Sequence, residues 1–545
     1  MQSPILANLD ELTGFVDKRY ADLLSNEEHD WLRRFREAPP PARLLYARLL
    51  LRRPVLFRVS RLTYAEIPDI RDALQVLAKL SLVSTEPPAD IRLLFSCFMR
   101  AEIDALLEHE HPRRLNRAEL LDALAGEGVA RVQAYRRRLV AADDWVTVQG
   151  HGAFAVFRLC FFGNLHQDIS EFARQAIGQF RHEVVPLDDG NRAFASREAI
   201  EAHLRWYECE LCRGNLSVND VGAMMAFADS LPLPLDASLQ RRTDRTRLAL
   251  ARRLAQLGET DKAFRLCRAC SSFAAREQEI RLLARCGRPR AAMLLAESLA
   301  LATLRPREQR LAQTQFTRLA RQSGRQLPPV RPYKPETATL VLTQDGRRVE
   351  ESAADFFARS GTALHVENAL FSSMLGLFIW DIVFAPLPGA FHNPFQSAPS
   401  DFHDDEFTER RRELLAARLT ECDNPEGFAA RVRATHEEKQ GIRNPLVRWQ
   451  RIDRDLIELA LERIPTRHWK ALFEHMLEDL RQYRRGLPDL VHFPDRGGYE
   501  LLEIKGPGDA LQTHQRQWLA WMRDAGIPCR VIKVRWRSSN TVRPA

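Results

Sequence analysis

The segment "GLPDLVHFPDRGGYELLEIKGPGDAL", residues 486–511, places ionisable side chains inside what otherwise reads as an apolar β-hairpin. The runs "DLVHF" and "YELLEI" have the aliphatic and aromatic content of buried strands, and "PDRGG" between them predicts a tight connection. A hairpin that is symmetric about Arg496 sets Asp489 opposite Glu503, with both side chains on one face of the sheet. Any fold built on this segment must therefore accommodate two facing carboxylates.

A divalent cation would remove the electrostatic conflict in this hairpin. Two carboxylates at cross-strand distance repel each other, and their hard oxygens suit Mg²⁺ or Mn²⁺. Because side chains alternate along a strand, Lys505 returns to the face of Glu503, whereas Ile504 points into the core and leaves its carbonyl oxygen as a further ligand. Two acids, a metal and an ammonium are sufficient in principle to hydrolyse a phosphodiester. The alternative is a surface hairpin with a cross-strand salt cluster.

The composition fits a large intracellular protein with an acidic partner. A length of 545 residues suggests three or four domains. The formal charge of +8 and the pI of about 9.1 fit nucleic acid as that partner without establishing it. The nine cysteines, an odd number, favour a reducing compartment. We find no signal-peptide pattern, and the apolar run 370–387 is interpreted as a buried core helix rather than a membrane span.

A proline cluster at residues 326–336 is the best domain boundary, and the chain before it is largely helical in pattern. Residues 43–84 predict a helix, an extended segment and a second helix, which is typical of a winged-helix-like unit. Residues 98–128 predict two short helices around a basic turn that carries Arg113, Arg114 and Arg117. This pattern is similar to the DNA-binding SAP module, and a plain helical hairpin with a solvated basic loop is equally compatible with it.

Paired helices with an internal repeat are predicted between about residues 195 and 325. Gly258 and Gly287 are 29 residues apart, and so are Ala263 and Ala292. Small residues that recur in one register let helices cross closely, which indicates a degenerate solenoid of tetratricopeptide type. The predicted domains are an N-terminal helical or winged-helix-like DNA-binding domain, a SAP-like domain, a helical-repeat domain and a nuclease domain, at residues 1–88, 89–160, 161–336 and 337–545 respectively.

The hairpin resembles a known nuclease signature. Pro488-Asp489 followed by Glu503-Ile504-Lys505 is similar to the motif of PD-(D/E)XK nucleases, and "GLPDLV", "EIKGPGD" and "QRQWL" resemble their VRR-NUC branch. The stretches "HVENALFSSMLGLFIWDIVF", "NEEHDWL" and "LTYAEI", together with the order of the modules, resemble the Fanconi-associated nucleases. The zinc-finger knuckles of the eukaryotic members are not found before the SAP-like part, so a prokaryotic-type member is expected.

The resemblance implies roles for individual residues. It makes Glu367 a helix-borne acid that completes the metal site, Asp489 and Glu503 the central metal ligands, and Lys505 the catalytic lysine. Gln515 matches a glutamine that supports the site. The DNA-binding residues expected beside the site are Arg481, Arg484 and Arg485, and His514 stands where the family has a basic residue, which puts a strong grip on a terminal 5′-phosphate in doubt.

The resemblance also implies the fold and the activity. The expected architecture is α+β and multidomain, with a largely helical N-terminal half followed by a nuclease domain whose mixed β-sheet is flanked by helices. The expected activity is Mg²⁺- or Mn²⁺-dependent cleavage of 5′-flap or other branched DNA in interstrand crosslink repair, with 5′-to-3′ exonuclease activity as a further expectation. The expected location is the cytoplasm or nucleoid of a prokaryotic cell. The alternatives are a Holliday-junction resolvase-like nuclease and a non-catalytic DNA- or protein-binding scaffold.

Overall fold

Prolines and capping side chains mark where many of the helices begin. Pro4, Pro40, Pro289 and Pro306 each open a helix, because a helix's first residue needs no backbone N–H donor.

The computed structural model describes residues 3–107, 116–167, 169, 181–302, 305–328, 333–404 and 406–537. The chain packs as two units, which are Met1–Gln179 with Arg192–Glu208 and Phe180–Asn191 with Cys209–Ala545.

The first unit is helical apart from a small sheet. Its three antiparallel strands are β1 (Leu56–Arg58), β2 (Val83–Ser84) and β3 (Trp145–Val148), in the order β1-β3-β2. The central strand is distant in sequence from the other two, so the predicted winged-helix-like segment contains only part of its own sheet. The helices of this unit are Pro4–Tyr20, Asn26–Glu37, Pro40–Leu50, Ile70–Lys79, Ile91–Ser96, Arg100–Leu106, Arg117–Ala125, Val129–Ala141, His151–Phe162 and the first part of Arg197–Arg213.

The second unit contains a series of consecutive helices, from Val221 to Gln322, that pack against one another. Gly258 and Gly287 both have positive φ, at +87° and +71°, and each lies in a short turn between two helices. Ala263 and Ala292 are both fully buried where neighbouring helices meet. The 29-residue spacing therefore corresponds to a repeated turn and helix contact. These helices are Val221–Ser230, Ala237–Gln256, Thr260–Arg268, Phe273–Arg285, Pro289–Leu301 and Pro306–Gln322.

A mixed five-stranded sheet forms the other part of this unit, which confirms the predicted α+β architecture. Its order is β4-β8-β7-β6-β5, with β8 parallel to both of its neighbours and the remaining pairs antiparallel. The strands are β4 (Thr337–Leu342), β5 (Gly361–His365), β6 (Leu490–Pro494), β7 (Glu500–Lys505) and β8 (Cys529–Trp536). The helices around it are Val349–Phe357, Ala369–Phe378, Trp380–Val383, Glu406–Arg410, Arg412–Thr420, Pro425–Glu438, Arg454–Arg463, Thr466–Glu478, Leu480–Tyr483 and Thr513–Asp524.

The β6–β7 hairpin has the predicted register. Leu490 pairs with Leu502 and Val491 with Leu501, so Asp489 and Glu503 come next in the same ladder. Leu501 packs into the larger core, on the face that Glu503 and Lys505 share. The other face, with Leu490, Leu502 and Ile504, packs against Ala353 and Phe357 of the helix Val349–Phe357.

The apolar run after residue 369 is a core helix, as predicted. Ala369–Phe378 is buried at every position from Leu370 onward. A Cβ on Gly376 would lie 2.7 Å from Leu446 Cβ, so only glycine permits this close approach. The hydroxyl of Ser372 donates to the Leu446 carbonyl at 2.8 Å. Among the residues that the structure describes, no helix is long and apolar enough to cross a membrane.

A strap at residues 181–191 completes the core beside the sheet. Trp380 donates its Nε1–H to Glu183 at 2.7 Å, and the Lys439 ammonium lies 3.2 Å from the same carboxylate. Val185 and Leu187 pack against the larger core. The predicted nuclease boundary at residue 337 therefore leaves out a segment that the nuclease core contacts.

Candidate active site

Asp489 is held in place by its backbone and its side chain together. The N–H groups of Val366 and Glu367 both donate to its carbonyl oxygen, at 3.0 Å each. Its carboxylate accepts the Ile504 N–H at 2.8 Å. Asp489 thus bridges the turn before the helix Ala369–Phe378 and the strand β7, and this fixes its position beside Glu503.

Glu503 is a buried carboxylate with two side-chain donors. Its side chain is 1% exposed. The Lys505 Nζ lies 2.8 Å from Glu503 Oε1, and the Gln515 Nε2 donates to the same oxygen at 2.6 Å. These contacts supply the partners that a buried charge requires. The structure therefore brings together four of the predicted site residues: Asp489, Glu503, Lys505 and Gln515.

Burial makes both acids difficult to ionise. Burial and then the charge of Asp489 raise the pKa of Glu503 to about 7, against the lowering effect of Lys505. Burial also raises the pKa of Asp489, against the lowering effect of the Ile504 N–H and Lys505. The acids share a site in which their negative charges oppose each other, and a bound cation would stabilise both of them.

Glu367 does not lie on a helix, in contrast to the expectation from the resemblance. It occupies the turn between β5 and the helix that starts at Ala369, with φ of +40°. Its N–H donates to the Asp489 carbonyl, and its positive φ excludes it from the right-handed helix that follows. Its side chain is 55% exposed and lies 3.5 Å from the imidazole of His365.

The charge of a further carboxylate, Glu350, acts on the acid pair, and this residue was not predicted. It belongs to the first turn of the helix Val349–Phe357. Its charge contributes to the raised pKa of both Asp489 and Glu503. The neighbouring Val349 lies 3.7 Å from where a Cβ on Gly506 would be. No fixed spacing connects "VEES" to the hairpin, so only the sheet topology could have indicated this residue.

The donor set fits a divalent ion with oxygen ligands. Asp489 and Glu503 offer carboxylate oxygens, and Ile504, between Glu503 and Lys505 on the strand, offers a carbonyl oxygen. The backbone N–H of Glu367 donates to the Asp489 carbonyl, so the carboxylate of Glu367 belongs to the same region. In the described parts of the chain, no group of three or more His, Cys, Asp or Glu side chains is already close enough to hold a metal ion. Two mutually repelling, buried acids are nevertheless the feature that a hard cation would stabilise.

Basic residues gather immediately before Asp489. We call Arg481, Arg484 and Arg485 the arginine turn. Burial lowers the pKa of Arg484, as do the charges of Arg485, Arg448 and Arg481. Burial and the charges of Arg484 and Arg481 also lower the pKa of His403. The sequence did not indicate Arg448 and His403, because both come from loops far from the motif.

The remaining predicted DNA-binding residues have different outcomes. His514 lies at the start of the helix Thr513–Asp524, where its Cδ2 would be 2.2 Å from a Cβ on Gly486, a residue with φ of +82°. It therefore lies against the arginine turn. Arg113 and Arg114 fall outside the described residues, and Arg117 begins the helix Arg117–Ala125.

Comparisons with known proteins show which family the chain resembles over its length. Residues 423–536 match the VRR-NUC domain, and residues 5–84 match the "FAN1, HTH domain" family. The "Fanconi-associated nuclease 1 homolog" of Pseudomonas aeruginosa is 32% identical over 551 residues, which cover 97% of this chain and 95% of that protein. Human "Fanconi-associated nuclease 1" is 35% identical over 206 residues, which cover 35% of this chain and 20% of that protein.

Solved structures show the same similarity over the whole chain. The crystal structure of paFAN1 bound to 2-nt 5′-flap DNA with a gap has a TM-score of 0.81 at 30% identity, covering 99% of this chain and 100% of that one. The complex with 1-nt 5′-flap DNA has a TM-score of 0.78 at 31% identity, covering 98% and 99%. The fold and site define a VRR-NUC nuclease. The chain belongs to the Fanconi-associated nuclease family.

Proposed function

We propose that this nuclease is a structure-specific endonuclease that cleaves DNA at 5′ flaps and related branches. The observation that carries the proposal is the buried Glu503, bonded to Lys505 and Gln515 and next in the hairpin ladder to Asp489, beside the arginine turn. Support comes from the two paFAN1 structures, which hold 5′-flap DNA. The name of the family fits a role in interstrand crosslink repair.

Asp489 and Glu503 would hold a divalent ion, with the Ile504 carbonyl and Glu367 as further ligands. When bound, the ion lowers the pKa of a water molecule and stabilises negative charge on the phosphate. Lys505, 2.8 Å from Glu503, has its ammonium placed to orient the nucleophile or to stabilise charge that develops in the transition state. Gln515 holds the Glu503 carboxylate in one orientation. An all-oxygen donor set is suited to both Mg²⁺ and Mn²⁺.

The arginine turn would contact the DNA backbone. The charged groups that lower the pKa of Arg484 are all arginines, namely Arg485, Arg448 and Arg481. A bound DNA phosphate would offset the repulsion between these positive charges. Such contacts position the duplex and do not read its sequence. His514 offers a shorter and weaker cation than lysine or arginine, so we propose a modest grip on a terminal 5′-phosphate. We propose that the N-terminal modules, including the basic segment with Arg113, Arg114 and Arg117, hold the branched duplex. The proposed place of action is the nucleoid.

Cleavage mapping tests this function. End-labelled 5′-flap, fork and four-way-junction DNAs would be incubated with wild-type protein and Glu503→Ala protein in Mg²⁺ or Mn²⁺. We expect cuts near the flap junction with the wild type and no cuts with the variant. Preferred symmetric cleavage of the four-way junction would favour a resolvase, and no metal-dependent cleavage of any substrate would favour a non-catalytic scaffold.

A further inference from the structure

One helix contacts both the acid pair and the arginine turn. In Thr513–Asp524, Gln515 donates to Glu503 at 2.6 Å. One turn later, Trp518 donates its indole Nε1–H to the Arg485 carbonyl at 2.9 Å. Trp518 is 1% exposed, and the hydrogen bond it makes to the exposed Arg485 is partly buried. The same rigid element therefore fixes a proposed metal ligand and a proposed phosphate-binding turn.

An aromatic cluster holds this helix against the arginine turn. The imidazole of His475 lies between Tyr483 and Trp521, with ring centroids 4.0 Å and 4.3 Å away and interplanar angles of 29° and 5°. Trp518 meets the same imidazole edge-on at 5.0 Å and 89°. Because Tyr483 follows Arg481 by two residues, the cluster restrains the turn at a second point.

A short covalent path also connects the turn to the acids. Residues 486–488 lead directly from Arg485 to Asp489, and Leu487 and Pro488 within this path are buried. A shift of the turn would reach Asp489 along the chain and Glu503 through Gln515. Both routes end at the acid pair. Because Glu503 is buried, a displacement of either route would change the position of its carboxylate.

We propose that Trp518 is a positioning residue that couples the occupancy of the arginine turn to the orientation of Asp489 and Glu503. The proposal rests on the function proposed above and deepens it. A DNA phosphate on the turn restrains the Arg485 backbone, and Trp518 passes that restraint to the helix that carries Gln515. A substrate that places no phosphate there leaves the acid pair less firmly held, so selectivity is expressed in the cleavage step as well as in affinity.

A double-mutant cycle measures this coupling. Single-turnover cleavage of a 5′-flap DNA with Mn²⁺ would be compared for Arg484→Ala, Gln515→Ala and the double variant, each with Trp518 present and in a Trp518→Phe background. With Trp518, the loss in the double variant should differ from the product of the single losses by about threefold or more, as it does for coupled residues. Trp518→Phe keeps a ring but lacks the donor. In this background the rate loss of the double variant should equal the product of the two single losses, which means that the residues are no longer coupled.

A matched control and a second variant complete the test. Trp521→Phe makes the same kind of substitution on the same helix, keeps a ring that can stack on His475, and leaves the Trp518–Arg485 hydrogen bond intact, so the coupling should persist in it. If circular dichroism shows Trp518→Phe to be partly unfolded, Trp518→Met takes its place, because methionine also lacks the indole donor while it fills apolar space. Two results would overturn the proposal. One is that, with Trp518 present, the rate loss of the double variant equals the product of the two single losses. The other is that the coupling persists after the Trp518–Arg485 hydrogen bond is removed. Lys505→Ala in the same assay distinguishes this failure from failure of the proposed nuclease site.

Discussion

Gln515 donates a 2.6 Å hydrogen bond to Glu503 Oε1, the same oxygen that lies 2.8 Å from the Lys505 ammonium. Two donors on one oxygen leave Oε2 available for a cation. The helix Thr513–Asp524 thus sets the orientation of a strand residue whose buried carboxylate depends on protein donors.

Loss of the Gln515 amide should reduce cleavage. Gln515→Ala removes the donor that orients Glu503, and partners of metal ligands typically contribute about 10- to 100-fold to affinity or activity. We expect a fall of that size in the single-turnover rate with Mn²⁺, and a higher metal concentration for half-maximal rate. Gln517→Ala, on the exposed side of the same helix, is the control and should cleave at the wild-type rate. An unaltered metal requirement in Gln515→Ala would contradict the role given to this amide.

Metal should stabilise the protein more as pH rises. The pKa of Glu503 is raised by burial from its ordinary 4.5 to about 7. Below pH 4.5 both the folded and the unfolded forms are protonated, and the raised pKa has no effect on stability. Between that pH and about 7 the unfolded state ionises more readily, so the metal-free fold loses stability as pH rises. A cation that binds only the folded, ionised site offsets this loss.

The measurement is the Tm with and without Mn²⁺ at about pH 5 and about pH 8. We expect the larger Mn²⁺-induced increase at the higher pH. Glu503→Gln serves as the control, because it removes the titrating group and should show a smaller and flatter Mn²⁺ effect. Equal increases in Tm at both pH values for the wild type would count against a raised carboxyl pKa at the metal site.

Removal of Arg484 should weaken DNA binding in a salt-dependent manner. If Arg484 contacts one phosphate, Arg484→Ala reduces the slope of log affinity against log salt by about 0.9. The assay is fluorescence anisotropy of labelled flap DNA over a range of salt concentrations. Arg433→Ala removes an arginine that is already paired with Glu458, 2.7 Å away, and should leave the slope unchanged. Identical slopes for Arg484→Ala and wild type would show that no phosphate is bound there.

The strap at residues 181–191 should contribute to the stability of the nuclease core. Glu183→Ala leaves the Trp380 N–H and the Lys439 ammonium without their shared acceptor, and a buried unsatisfied donor costs about 1–3 kcal/mol. Glu183→Gln retains an acceptor for Trp380 and should cost less. Urea unfolding of the full chain measures both. Equal stability of the alanine variant and the wild type would show that the strap only lies on the core.

The hairpin could be predicted from sequence, whereas its surroundings could not. The alternation of β6 and β7 and a short turn determine which residues face each other, so the placement of Asp489, Glu503 and Lys505 followed from local pattern. Strand β3, the strap and Glu350 interact with residues that are distant in sequence. The hydrophobic periodicity of a local segment does not predict such contacts. Arg448 and His403 belong to loops, where sequence carries the least structural information.

The position of Glu367 shows how a resemblance can mislead in detail. The expectation of a helix-borne acid came from the family resemblance, which matches Glu367 to an acid on a helix. The helix does form, but it starts at Ala369, because Glu367 has a φ of +40°, which a right-handed helix does not accommodate. The backbone conformation of this turn, whose N–H groups bond to the Asp489 carbonyl, therefore places Glu367 before the helix.

The central claim is that the acids and the lysine of the β6–β7 hairpin perform metal-dependent cleavage of flap DNA. Its most direct test is the single-turnover rate of 5′-flap cleavage by wild-type and Lys505→Ala protein at saturating Mg²⁺ or Mn²⁺. Loss of a group that stabilises the transition state should reduce this rate by about a hundredfold or more while DNA binding is retained. A Lys505→Ala protein that cleaves the flap at the wild-type rate would contradict the account.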